Sequence, residues 1–154
     1  MRDVVIVDSV RTGLTKAFRG SFNLTRSDDM LAHCIDSLLD RNPNLSPEEV
    51  EDVVVGAATH AGEQDGNLAR LAVVLSKLPI TVAGVSINRF CSSGLQAIAI
   101  AANQIASGQT EVAIAGGVDS ISMRTRQEPG KAKQNQRLLD EKPDIFMLWA
   151  ILPR

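Results

Sequence analysis

The chain has 154 residues, enough for one domain that buries roughly 70% of the surface its unfolded form exposes. At 44% apolar and 22% charged, with a formal net charge of −2, it has neither the composition of a disordered chain nor the basic balance of a nucleic-acid binder. Aromatic residues make up 3% with no tyrosine, which excludes base-stacking platforms and leaves Ala, Val, Ile and Leu to build the core.

The first predicted element is a buried strand, the β-branched run VVIVDSV from Val4 to Val10, followed by a loop punctuated by Gly and Ser. TRSDDMLAHCIDSLLDRNPNLS then reads as an amphipathic helix. Ser27 is its expected N-cap, acids fill its first turn, and Met30, Leu31, Cys34, Leu38 and Leu39 form its apolar face up to Asn42-Pro43. A short helical turn with Pro47 in first position leads into the strand DVVVGAA.

GNLARLAVVLSKLP reads as a helix ending before Pro79, and Thr81 to Ile87 as the next strand. CSSGLQAIAIAANQIASG has apolar and small residues on almost every face and a Gly108 stop, the pattern of a buried helix. EVAIAGGVDSIS follows as a buried strand. Strands and helices alternate four times and the strands are continuous apolar runs, so the fold class is α/β, with a mainly parallel sheet covered on both faces by helices. From Arg124 the chain turns polar and basic, then abruptly apolar in IFMLWAILPR. Residues 1–123 are therefore assigned to one domain and 124–154 to the start of a loop-domain-like segment or a disordered tail.

Two cysteines, Cys34 and Cys91, without metal spacing or a histidine cluster argue for a reducing compartment and against structural zinc. The N-terminus lacks the long apolar stretch of a secretory signal, and no apolar run reaches the ~18 residues that span a bilayer. A cytoplasmic setting is expected; a mitochondrial matrix or a peroxisome is not separated from it.

Cys91 falls where the strand ending near Ile87 turns into a helix. A helix N-terminus carries unpaired N–H groups and a partial charge of about +0.5, so a thiolate there is favoured. In a parallel α/β sheet the ligand crevice opens at the same place, and the adjacent N–H groups suit a developing oxyanion. The alternative is that Cys91 is a small buried hydrophobe, and spacing alone leaves the two readings open. Cys34, on the apolar face of a helix, reads as core. His33 and His60 are the only histidines: His33 reads as solvated, and His60 as a loop residue within reach of the crevice but more simply exposed. GEQDGN and AGGVDS lack the spacing of phosphate or dinucleotide loops.

VVIVDSVRTGLTKAFRGSF, VVVGAATHAGEQDGNLARLAVVL, VSINRFCSSGLQAIAIAANQIASGQTEVAIAGGVDSISM and LLDEKPDIFM together resemble the thiolase family, in particular its degradative acetyl-CoA acyltransferases. The resemblance implies the first of two similar halves of that fold, written βαβαβαβ over the ordered part. It also implies that Cys91, in the N-x-x-C-x-S-G segment, carries the acyl group as a thioester. The implied reaction is cleavage of a 3-ketoacyl-CoA by CoA to acetyl-CoA and a shortened acyl-CoA, or the reverse condensation. Coenzyme A and acyl-CoA are then substrates, with no permanently bound cofactor and no metal.

A homodimer through Thr81 to Ile87, within a tetramer in some members, is also implied; no nucleic acid or integral membrane segment is. The family further uses a G-H-P histidine, a C-x-G cysteine and a loop-domain histidine. None of these motifs occurs in the 154 residues. The chain is thus expected to be the front part of such an enzyme, with weak or absent turnover. The alternative expectation is a catalytically inactive fragment acting as a dimerisation or interaction module.

Overall fold

The computed structural model describes residues 2–124 and 140. The expected tail segment 124–154 lies almost wholly outside the described residues. Three strands form one parallel sheet: β1 (Asp52–Gly56) at the centre, β2 (Ala83–Ile87) on one side and β3 (Ala113–Gly117) on the other. Around it stand α1 (Ser27–Arg41), α2 (Leu68–Leu75), α3 (Ser93–Ser107) and the short α4 (Ile121–Arg124), with 3-10 turns at Pro47–Glu49 and Gly62–Gln64. This is the expected α/β layering. No described helix is long and apolar enough to cross a membrane.

β1 forms a strand because three consecutive valines suit a pleated surface buried on both faces. Alternation then divides them. Val53 and Val55 join Leu31, Ile35, Leu68, Ala72 and Val73 from α1 and α2 on one face, while Val54 meets Ala97 and Ala101 of α3 on the other. The buried apolar side chains of α3 against the sheet are Ala97 and Ala101, with Ile100 packed beside them, so its backbone lies close against β1 and β3. Its end is set by Gly108 at φ +78°, the left-handed conformation that a residue without Cβ adopts at no cost.

Four expectations change in detail. The predicted strand Val4 to Val10 does not form: Val5, Ile6 and Val7 are 74–82% exposed and join no ladder among the described residues. β-Branching favours a strand only where a neighbour supplies hydrogen bonds and a surface to cover. This segment is instead tied at two points. Arg2 donates its N–H to Ala106 O at 3.1 Å and pairs with Glu111, while Asp8 accepts from Arg41 at 2.8 Å and Asn42 at 3.0 Å.

Ser27 is not the N-cap of α1 but its first residue. It is fully buried, and its hydroxyl donates to Gln64 Oε1 at 2.7 Å. Arg26 takes the cap position and holds Asp28 through both guanidinium arms at 2.9 and 2.7 Å. α3 is only half covered: Ala97 is fully buried, but Leu95 is 73% exposed and Ile98 is 41% exposed. β3 is half-buried because its outer edge has no ladder among the described residues.

Two substitutions test this packing. Leu68→Ala removes a fully buried side chain from the larger core and is expected to cost about 2–5 kcal/mol, read from the urea midpoint. At Gly56 an added Cβ would stand 2.2 Å from the carbonyl carbon of Ser93. Gly56→Ala is therefore expected to cost about 3 kcal/mol and to speed amide exchange in the first turn of α3; an unchanged midpoint would refute this seating of the helix.

Candidate active site

Parallel pairing brings the carboxyl ends of all three strands to one edge, with Gly56 opposite Ile87 on one side and Gly117 on the other. The chain leaves β1 for α2 and β2, then returns through α3 on the opposite face to β3. A ligand crevice is expected at such a reversal. The turn from β2 into α3 occupies it.

Within that turn Phe90 adopts φ +50°, a left-handed conformation unusual for a bulky residue and costing on the order of 1–2 kcal/mol. Neighbours hold it there. Its N–H donates to Asn88 Oδ1 at 2.8 Å, and its carbonyl accepts from the Ser93 N–H at 3.0 Å and the Ser93 hydroxyl at 2.6 Å. Ser93, which is buried, also accepts the Arg89 N–H at 2.8 Å. The sharp reversal at Phe90 delivers Cys91 to the surface, as an exposed free thiol immediately before the N-cap Ser92.

Cys91 lines a cleft of about 280 Å³ with Gly56, Phe90, Gly94, Gly117 and Asp119. Its glycines are a packing requirement. A Cβ at Gly117 would approach Gly56 O to 2.7 Å and Gly94 Cα to 3.1 Å, so the strand ends and the first turn of α3 meet backbone to backbone. Thiol and helix N-terminus thus share one opening, and the amide dipoles of a fifteen-residue helix favour negative charge there.

The other candidates lie elsewhere. Cys34 lines a larger cavity of about 540 Å³ beside α1, which abuts the Cys91 cleft at Gly117, Val118 and Asp119; there burial pushes its thiol upward and the Thr12 backbone only partly offsets this. His33 is exposed on α1. His60 sits in the loop after β1 with Nε2 3.1 Å from Ala57 O and does not line the Cys91 cleft. No described cluster of three or more His, Cys, Asp or Glu side chains fits a metal ion.

Sequence reading passed over Asp119, Gln64 and Asn88. Asp119 follows β3 and accepts N–H groups from Ala58 at 2.8 Å and Thr59 at 3.3 Å, together with the Gln64 amide at 3.2 Å. Gln64, almost fully buried, also donates to Thr59 O at 2.6 Å and accepts the Ser120 N–H at 2.6 Å. The available signal was an acid two residues beyond a Gly-Gly strand end, and an asparagine three residues ahead of the cysteine.

The family model for the thiolase N-terminal domain matches residues 4–152. Beta-ketoadipyl-CoA thiolase of Pseudomonas putida is 44% identical over 122 residues, which are 79% of this chain and 30% of that protein. The 3-oxoadipyl-CoA/3-oxo-5,6-dehydrosuberyl-CoA thiolase of Escherichia coli is 43% identical over 122 residues, again 79% and 30% of the two chains. The 3-ketoacyl-CoA thiolase of Vibrio vulnificus is 40% identical over 121 residues, 79% of this chain and 31% of the relative. The chain thus matches about 30% of the length of these curated relatives. With the family match running over nearly all of its residues, the chain belongs to the thiolase family and carries that family's N-terminal domain.

Proposed function

We propose that this chain supplies the acyl-carrying cysteine of a thiolase, with Cys91 as the nucleophile. The observation that carries the proposal is an exposed thiol presented by a left-handed residue at the N-terminus of a long helix, inside a cleft whose other walls are strand ends. The substrate class is a 3-ketoacyl-CoA. Sulfur attacks the 3-keto carbon, and the charge that develops on oxygen is met by backbone N–H groups. The C2–C3 bond then breaks, C2 takes a proton, and acetyl-CoA leaves while the shortened acyl group stays on Cys91. The thiol of free CoA attacks that thioester next, releasing a shortened acyl-CoA and returning the cysteine.

Coenzyme A enters as substrate, and no resident cofactor or metal takes part in this reading. Proton delivery to C2 needs a general acid and the attacking CoA thiol needs a general base, assistance worth commonly 10²–10⁴-fold each. His60 points to Ala57 O and is no substitute. The family's two C-terminal catalytic motifs do not occur in the 154 residues, so the half-reaction, not full turnover, is the activity assigned to them. A cytoplasmic setting, which keeps Cys91 a free thiol, is part of the proposal.

The interaction-module reading draws support from the outer edge of β2, which has no ladder partner among the described residues, beside exposed Ile80 and Val85. A second copy pairing there gives the homodimer; a tetramer is a further step.

Intact mass after incubation with acetyl-CoA tests the nucleophile. One acetyl adduct is expected, kept in Cys34→Ala and lost in Cys91→Ala; alkylation of Cys34 should lag behind Cys91, since burial raises the Cys34 thiol and leaves less thiolate. An adduct that survives Cys91→Ala would sink the assignment. For the dimer, Val85→Lys places a charge on the exposed edge and is expected to shift sedimentation to the monomer; a monomeric wild type would refute edge pairing.

A further inference from the structure

We infer that Asp119 is a positioning residue for Cys91, acting through Ala58 and Asn88; this rests on the reading of Cys91 as nucleophile. The argument follows one line of hydrogen bonds. Asp119 Oδ2 accepts the Ala58 N–H at 2.8 Å, while its Oδ1 accepts the Thr59 N–H at 3.3 Å and Gln64 Nε2 at 3.2 Å. Hydrogen bonds to an ionised acceptor are the strong kind. Gln64 closes the bracket from beneath, donating to Thr59 O at 2.6 Å and accepting the Ser120 N–H at 2.6 Å and the Ser27 hydroxyl at 2.7 Å. The loop after β1 is thus locked to the segment after β3.

From the locked loop the line continues upward. Ala58 O accepts Asn88 Nδ2 at 3.1 Å, and Asn88 Oδ1 accepts the Phe90 N–H at 2.8 Å. Both ends of the Asn88 amide are engaged, so only one orientation serves: nitrogen toward Ala58, oxygen toward Phe90. Phe90 is the residue held at φ +50°, and Cys91 is next. A displacement of the Ala58 peptide therefore reaches the thiol through two hydrogen bonds and one strained residue. Asp119 and Asn88 are themselves exposed, so the bracket contributes little to burial and its effect falls on the turn.

Asp119→Asn replaces one acceptor oxygen with an NH2 group that faces donors and opens the bracket. With the bracket open, Phe90 relaxes from the left-handed region and Cys91 withdraws from the start of α3, losing the support of the amide dipoles. The test is the rate of Cys91 carbamidomethylation by iodoacetamide from neutral to alkaline pH, mapped by peptide mass on the full chain, with melting curves alongside. Iodoacetamide needs neither CoA nor an acyl site. Failure of acyl transfer and failure of positioning are therefore separate results.

Asp119→Asn and Asn88→Ala are each expected to slow alkylation several-fold at neutral pH and to move the profile to higher pH. The double variant should match Asn88→Ala alone, because the two residues lie on one line. Ser27→Ala, which removes the hydroxyl contacts to Gln64 and Glu63 on the far side of the bracket, should leave the profile in place. Asp119→Glu, which keeps the charge but misplaces its oxygens, is expected to slow alkylation in the same direction and carries the test if the amide variant does not fold. Variants that melt lower yet alkylate with the wild-type rate and profile would overturn the inference. So would a profile moved to lower pH, which would mean that Asp119 acts on the thiol as a charge through space.

Discussion

Gly56, Gly94 and Gly117 meet at the carboxyl edge of the sheet so closely that a Cβ at Gly56 would lie 2.2 Å from a Ser93 backbone carbon. This approach of backbone to backbone is the constraint from which the cleft around Cys91 follows. A helix that stood further from the sheet would carry its N-terminus away from the strand ends, and Cys91 would face solvent without the walls of a cleft. The same closeness explains the composition of α3. Ala97 and Ala101, not leucines, touch Val54, because larger side chains would lift the helix from its seat.

Cohesion comes mainly from β1. Val53, Val54 and Val55 are buried on two faces, and the helices on either side meet through them. The ion pairs contribute less: Arg2 with Glu111 and Lys77 with Asp40 join exposed partners, where solvent screening leaves little net gain. Arg26 with Asp28 differs, since the carboxylate is largely buried and held by both guanidinium arms at the start of α1.

From α1 onward the order of elements, the parallel sheet and the place of Cys91 were legible in the sequence, because each rests on local pattern: valine runs, helical periodicity, a glycine stop and a cysteine at a strand-to-helix turn. What was not legible depends on contacts far apart in the chain. The run from Val4 to Val10 has the composition of a strand, but a ladder also needs a neighbour, which composition does not specify. Ser27 looks like a cap, yet its partner is Gln64, thirty-seven positions away. Asp119 and Gln64 are unremarkable in isolation; they acquire meaning only when β1 and β3 lie side by side, fifty-five residues apart at their closest link.

The central strand of the sheet is also the first to be synthesised, with β2 and then β3 following it. A chain emerging from the ribosome therefore holds β1 without a partner until a helix and a second strand have appeared, and its other edge stays open until α3 has crossed to the opposite face. Parallel ladders closed over such separations are slow to assemble. Gly117, which completes the seat of α3, arrives with the last strand, so the thiol acquires its special surroundings only at the end of assembly. A nascent chain halted before β3 would present Cys91 as an ordinary surface sulfur. The order in which the sheet is built thus leaves Cys91 without its cleft until the last strand is in place.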